Sequence, residues 1–418
     1  MALVVQKYGG SSVASPERLM AVARRLIAAK ERGDRVVAVV SAMGDVTDEL
    51  LAKARSISPE PPEREMDMLL ATGEQVTIAL LAMAIHAQGH EAISLTGAQA
   101  GIVSDAVHTK ARIQEVRADR VMEALDGGNI VIIAGFQGLT PEGEITTLGR
   151  GGSDTTAVAV AAGLSADVCE IYTDVDGVFT ADPRVEPSAR KLSVVSYDEM
   201  LEMAATGARV LQLRSVEFAR NHGVVIHVRS SFSECEGTIV KEADESMEQA
   251  IISGVTHDTS EAKVTVRDVP DRPGVAAEVF GRLADANVNI DMIIQNVSEA
   301  GTTDISFTTP KDDLARAKKA VSEVVADLGA RDWSVDESIA KVSLVGAGMK
   351  THPGVAALMF RSLADAGVNL DMISTSAIRI SCVIAANQVD TAVRALHTAF
   401  GLDDRSVVAE TSPAAPGM

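Results

Sequence analysis

The pentapeptide Pro273-Gly274-Val275-Ala276-Ala277 returns 80 residues later as Pro353-Gly354-Val355-Ala356-Ala357. The same offset carries Leu283-Ala284-Asp285-Ala286 onto Leu363-Ala364-Asp365-Ala366, and Asp291-Met292-Ile293 onto Asp371-Met372-Ile373. A single shared offset marks an internal duplication, so the end of the chain must fold as two copies of one small unit. Each copy reads as a strand, a Pro-Gly turn, an amphipathic helix, a strand at Val288-Asn289-Ile290 or Val368-Asn369-Leu370, a further strand and a second helix. That order is a ferredoxin-like βαββαβ module. Pro supplies no N–H at the helix start, and Gly lets a ligand approach the backbone there. A repeat serving packing alone would show the same pattern.

The chain of 418 residues is too long for one ordinary core. Residues 1–233 alternate short β-rich runs with helical stretches, the rhythm of a three-layer α/β fold. Strands are expected at Leu3–Gln6, Val36–Val40, Ala92–Leu95, Ile130–Ala134, Cys169–Thr173 and Val224–Val228, and helices at Pro16–Arg32, Gly73–Ala87 and Ser153–Ala162. Ser15 followed by Pro16 is a helix start, and the prolines of Ser58-Pro59-Glu60-Pro61-Pro62 make a loop. Residues 234–249 turn acidic and non-periodic and read as a linker. The modules then take 250–335 and 336–418, interleaved with each other.

Composition excludes several functions. With 38 basic against 58 acidic side chains the net charge is −20, which argues against nucleic acid as a partner. Aromatics at 3% leave few platforms for stacking bases. Charged residues interrupt every apolar run, so no membrane span and no signal peptide are expected, and the compartment reads as cytoplasmic. Cys169, Cys235 and Cys382 are too few and too dispersed for a disulfide framework or a zinc site. His86, His90, His108, His222 and His227 have no metal-ligand spacing either.

Four polar, glycine-containing clusters follow expected strands of the first domain, where open α/β sheets place their sites. In Lys7-Tyr8-Gly9-Gly10-Ser11-Ser12 the paired glycines let successive N–H groups face an anion, and Lys7 adds a mobile charge. An ordinary strand-to-helix turn reads the same way in isolation. Ser41-Ala42-Met43-Gly44, with Thr47 beyond it, is a second strand exit of small residues. In Leu148-Gly149-Arg150-Gly151-Gly152-Ser153-Asp154, Arg150 can clasp a carboxylate with two parallel hydrogen bonds, and Ser153 opens a helix whose N-terminus attracts anions. In Tyr172-Thr173-Asp174-Val175-Asp176-Gly177, running on to Phe179, Asp182 and Arg184, acidic groups at a strand end can hold Mg²⁺ through water. Calcium is the rival there, but the EF-hand spacing is absent. Glu74, in Thr72-Gly73-Glu74-Gln75, begins a helix. No Ser-His-Asp or Cys-His set competes, and the clusters together read as a phosphotransferase acting on a small carboxylate.

These clusters together resemble the aspartate kinase family of the amino-acid kinase superfamily, and the duplicated tail resembles that family's tandem ACT domains. The likeness covers nearly the whole chain and is nearest to the actinobacterial, lysine-pathway type. It implies transfer of the ATP γ-phosphoryl group to the side-chain carboxylate of L-aspartate, the first step toward lysine, threonine and methionine. By the same resemblance Lys7, Gly9 and Gly10 serve the transferring phosphate, and Asp154 organises the reacting groups. Thr47, Glu74 and Arg150 hold aspartate, with Gly151, Gly152 and Ser153 beside them. Ser41, Thr173, Asp174, Phe179, Asp182, Arg184 and Arg209 serve ATP, with Asp174 nearest its Mg²⁺. Asp271, Gly274, Val275, Ala276, Gln295, Val355, Asn369, Leu370, Thr375 and Ser376 would meet lysine and threonine as effectors. A homo-oligomer is implied, or an α2β2 assembly whose regulatory chain starts internally near Met247. Two positions depart from the usual pattern: Arg209 replaces a lysine, and Ala377 replaces a glutamate. A catalytically silent amino-acid sensor, or another kinase of the superfamily, is the alternative.

Overall fold

Leu3–Tyr8, Arg35–Val40, Ile130–Ala134 and Ala92–Leu95 are short apolar runs, and they lie side by side as parallel strands. On the other edge of Leu3–Tyr8 the sheet continues through Val168–Thr173, Ile226–Ser230, Thr238–Lys241 and Val194–Ser196, with one antiparallel pairing, between Ile226–Ser230 and Thr238–Lys241. Side chains alternate along these strands. Tyr8, Val36, Ala38, Val40, Ile130 and Ile132 therefore share one core with Leu26, Leu81 and Ile85 of the Pro16–Glu31 and Thr72–His86 helices. Lys7, one residue from Tyr8, takes the opposite face, which the Gly152–Gly163 helix covers. Ser15 caps the first helix by accepting from the Arg18 N–H, with Pro16 in its first turn. The computed structural model describes residues 2–244, 251–296, 301–350 and 352–403, and Met247 lies outside them.

The chain divides into two units. One holds Met1–Val178, Lys191–Ala205 and Arg209–Met247; the other holds Phe179–Arg190, Thr206–Ala208 and Glu248–Met418. In the second unit, Ile293–Gln295, Thr302–Pro310, Glu261–Pro270 and Asp332–Asp336 form one antiparallel sheet in that order. Gly254–Asp258, Ile339–Val345, Arg379–Ala385 and Met372–Thr375 form the other. The second copy of the repeat thus draws its fourth strand, Gly254–Asp258, from ahead of the first copy, which is inserted into it. In both copies the helix after Pro-Gly starts on a left-handed glycine, Gly274 at φ 98° and Gly354 at φ 102°. Side chains rarely adopt that conformation, so the turn accounts for the repeated glycine. Asn287 (φ 52°) and Gly367 (φ 70°) hold equivalent left-handed positions after these helices.

Four expectations need correction. The Val-Asn-Ile and Val-Asn-Leu segments are irregular, and the strands follow them at Ile293–Gln295 and Met372–Thr375. The acidic stretch is not all linker, because Thr238–Lys241 joins the eight-stranded sheet. Residues 179–190 and 206–208 do not fold with the first domain. Ala181, Val185 and Ala189 enter the core of the second module, Thr180 Oγ1 lies 2.9 Å from buried His397 Nε2, and Arg190 Nε donates to the Leu402 carbonyl at 2.6 Å. Finally, Glu63–His86 is a helical stretch apolar and long enough, by length and composition, to cross a membrane. It breaks at Ala71 into two helices, and its inner face packs in the first unit, carrying buried Asp67 and Glu74.

The two repeat copies are joined by reciprocal ion pairs: Lys263 of the first grips Asp371 of the second, and Lys341 of the second grips Asp291 of the first. Lys341 is 1% exposed and also lies 2.8 Å from Glu261. Burial pulls its ammonium down, but the two carboxylates outweigh that and hold it above its ordinary value. Removing one member of a buried charge cluster leaves the others unpaired and costs about 3–5 kcal/mol. Lys341→Ala is expected to lower the denaturant midpoint of the second unit's transition while leaving that of the first unchanged, read by urea unfolding. An unchanged midpoint contradicts this energetic reading of the cluster.

Candidate active site

The strands Leu3–Tyr8, Arg35–Val40 and Ile130–Ala134 end together, and their exits carry Lys7-Tyr8-Gly9-Gly10, Ser41-Ala42 and Gly135-Phe136. These exits surround the N-terminus of the Gly152–Gly163 helix. The glycines are required by close approach. A Cβ on Gly10 would stand 3.0 Å from the Ala42 carbonyl oxygen, and one on Gly135 would stand 2.7 Å from Ser153 Oγ. Ser41 Oγ donates to Ser153 Oγ at 3.0 Å, tying a strand exit to the helix start. Lys7 Nζ reaches 2.6 Å from Asp154 Oδ1, an ion pair in which that oxygen still lacks an aligned hydrogen-bond donor.

A cavity of about 300 Å³ opens here, lined by Lys7, Gly9, Gly10, Ser41, Thr47, Glu74, Phe136, Gly149, Arg150, Gly151, Gly152, Ser153, Asp154 and Gln212. Glu74 is only 3% exposed. Its Oε1 accepts from the Ala42 N–H at 3.1 Å, while Oε2 is buried with no hydrogen-bond partner among the described residues. Burial pushes the carboxyl up to about 7, against the opposing pull of its own and the Ala42 backbone N–H groups. An orphaned buried carboxylate oxygen is costly unless a cation or donor completes it. Arg150 is the reverse case: it is exposed and makes no hydrogen bond or ion pair among the described residues. The cavity therefore offers an unsatisfied acid and a free guanidinium beside a lysine and a helix N-terminus. That set matches a zwitterionic amino acid meeting a phosphate.

The cavity thus gathers the aspartate-side residues and the phosphate grip expected from sequence. Sequence reasoning missed Phe136, Gly149 and Gln212 as lining residues. Phe136 sits at a strand exit with φ 69°, strained for a non-glycine residue, and its place after an apolar strand and Gly135 was a usable signal. The ATP-side set is only partly gathered. Thr173 and Asp174 lie at the end of the strand that pairs with Leu3–Tyr8, beyond the register pair Tyr8 and Tyr172, but do not line the cavity. Phe179, Asp182 and Arg184 fold with the second unit, where Asp182 accepts from Arg184 Nη2 at 2.7 Å and that hydrogen bond holds its carboxyl below its usual range. Arg209 is exposed and does not line the cavity.

Among the described residues no three acidic, His or Cys side chains gather as a metal cluster. Mg²⁺ carried on phosphates would need only one or two protein carboxylates, and exposed Asp174 offers one. In the second unit, Gln295 and Thr375 lie on edge strands, Gly274 and Gly354 begin helices, and Asp271, Ala276, Asn369 and Ser376 are exposed. Val275 is buried, and Val355 and Leu370 are half-buried. Ala377 is exposed just past an edge strand.

Comparison with known proteins identifies the family. The amino acid kinase family matches residues 2–230, and ACT domains match residues 264–326 and 342–400. The aspartokinase of Mycolicibacterium smegmatis is 58% identical, covering 98% of this chain and 99% of its own. The crystal structure of aspartate kinase from Synechocystis is 48% identical, with a TM-score of 0.54, covering 96% of this chain and 70% of that one. Aspartokinase III of E. coli, solved with aspartate and ADP, shares the fold at a TM-score of 0.81 and 24% identity, covering 95% of this chain and 99% of that one. The chain belongs to the amino acid kinase family and, within it, to the aspartokinases.

Proposed function

We propose that this chain is an aspartate kinase that transfers the γ-phosphoryl group of ATP to the side-chain carboxylate of L-aspartate, giving 4-phospho-L-aspartate and ADP. One observation carries the reading: the unpartnered Glu74 Oε2 and the free Arg150 guanidinium line the same cavity as Lys7. Glu74 takes the substrate ammonium and Arg150 a carboxylate, with Thr47 and Ser153 completing the cradle.

The chemistry needs no general base. A side-chain carboxylate of ordinary pKa, about 3.9, is already the nucleophile at neutral pH. One carboxylate oxygen bonds to the γ-phosphorus while the bond to the β-phosphate oxygen breaks, and the leaving charge departs on ADP. The obstacle is repulsion between two anions, which positioning and positive charge must overcome. Lys7 supplies the charge, Gly9 and Gly10 their N–H groups, and the Gly152–Gly163 helix its N-terminus. Asp154 holds the Lys7 ammonium in place and accepts no proton. Asp174 would be the carboxylate to hold Mg²⁺, which would neutralise charge on the ATP phosphates. In the first unit, Thr173 and Arg209 serve the nucleotide side of this reading.

The two ACT modules take lysine and threonine at the Gly274 and Gly354 helix starts and at the edge strands that carry Gln295 and Thr375. Edge strands suit pairing with another copy, as a homo-oligomer or with a regulatory chain started near Met247. The enzyme works in the cytosol, where ATP and free aspartate meet.

Incubation with ATP, Mg²⁺ and aspartate, with the acyl phosphate trapped by hydroxylamine, is expected to give aspartate-dependent hydroxamate that falls as lysine and threonine are added. No hydroxamate removes the kinase reading, and turnover indifferent to both amino acids removes the effector assignment alone. Lys7→Ala is expected to lower kcat by about 10²–10³-fold with an unchanged melting curve.

The Glu74 carboxyl near 7 gives a pH signature. The ammonium needs the ionised form, so kcat/KM for aspartate is expected to fall about tenfold per unit below pH 7, and Glu74→Gln to erase that limb. Stability runs the other way. The folded chain binds this proton more tightly than the unfolded one, so the group favours folding increasingly as pH falls from about 7 toward its ordinary 4.5.

A further inference from the structure

Arg150 has no partner among the described residues, so the direction of its guanidinium depends on the backbone that carries it. That backbone has left-handed residues on both sides, Gly149 at φ 74° and Gly151 at φ 72°. Glycines turn easily, so other groups must hold the loop. Both of its flanks are held from the start of one helix, Leu213–His222.

On the leading side, Arg214 donates Nη1 to the Leu148 carbonyl at 2.7 Å and Nη2 to the Ala111 carbonyl at 2.9 Å. Ala111 N–H donates to the Thr147 carbonyl at 3.0 Å, so one guanidinium spans both segments of a backbone tie. On the trailing side, Gln212 lies against Gly151, where a Cβ would stand 2.1 Å from Gln212 Cγ. Beneath the tie, fully buried Asp67 accepts from Thr147 Oγ1 at 2.5 Å and from the Thr109 N–H at 3.1 Å. Thr109 itself is left-handed at φ 64°, a strain that the surrounding bonds must overcome. Arg214 is half-buried, and its bonds go to carbonyls, with no ion pair among the described residues. A desolvated cation spent on two carbonyls fixes geometry more than it adds stability.

We infer that Arg214 is a positioning residue for the phosphoryl acceptor, holding the 147–151 loop so that Arg150 meets the substrate carboxylate. Gln212 is the second half of the same brace. The inference rests on the reading of Arg150 as the group that binds that carboxylate.

Steady-state kinetics of the full chain test it with Arg150→Ala, Arg214→Lys and the double variant. Lysine keeps the charge but cannot bridge two carbonyls in fixed geometry. Arg214→Lys is expected to raise KM for aspartate about tenfold, with kcat within about twofold and KM for ATP unchanged. In the Arg150→Ala background it is expected to add nothing, because its effect passes through Arg150. If Arg150→Ala leaves KM for aspartate unchanged, the reading of Arg150 fails. If Arg150→Ala raises it but Arg214→Lys does not, or if the two effects multiply, the positioning role is overturned. Should Arg214→Lys fail to fold, Gln212→Ala reads the same brace from the other flank by the same non-additivity.

Discussion

The site depends on keeping a lysine beside an aspartate in a place built to receive two more anions. Lys7 and Asp154 meet at 2.6 Å because strand alternation turns Lys7 away from Tyr8's core and the facing helix begins at a run of small residues. Larger residues would close the gap. A Cβ would clash at Gly135 and be tight at Gly10, and the hydroxyls of Ser41 and Ser153 are already in contact. In the proposed reaction that closeness holds the Lys7 ammonium where the phosphate is to meet it.

The duplicated tail is bound to this arrangement by the path of the chain. Phe179–Arg190 leaves the first unit directly after the Tyr172–Gly177 motif, folds with the second module, and returns at Lys191. Thr206–Ala208 does the same shortly before the helix that braces Arg150, with Thr206 Oγ1 at 2.6 Å from Thr256 Oγ1. Two short segments of the kinase sequence are therefore structural parts of the ACT unit.

Most of the central sheet was legible because each strand is a short apolar run closed by a glycine or serine cluster. The cavity was legible for the same reason: its lining comes from those closures. The repeat was visible through its glycines, and its strands were misplaced because Val288 and Val368 are apolar without being paired. The supporting residues were not legible. Asp67 lies within a helical run and Arg214 among mixed polar residues, and neither belongs to a pattern. Their roles come from backbone groups 42 and 66 residues away in sequence. The entry of residues 179–190 into the second module was hidden likewise, since Ala181, Val185 and Ala189 carry too weak a pattern to announce a distant core.

In the proposed function a bound amino acid places its ammonium on Glu74 and a carboxylate on Arg150. A crystal structure of the chain with aspartate and ADP tests it most directly. The expected result is a ligand nitrogen within about 3 Å of Glu74 Oε2 and a carboxylate paired with Arg150, leaving the other carboxylate toward Lys7. Aspartate bound with its ammonium away from Glu74, or outside this cavity altogether, would contradict the account.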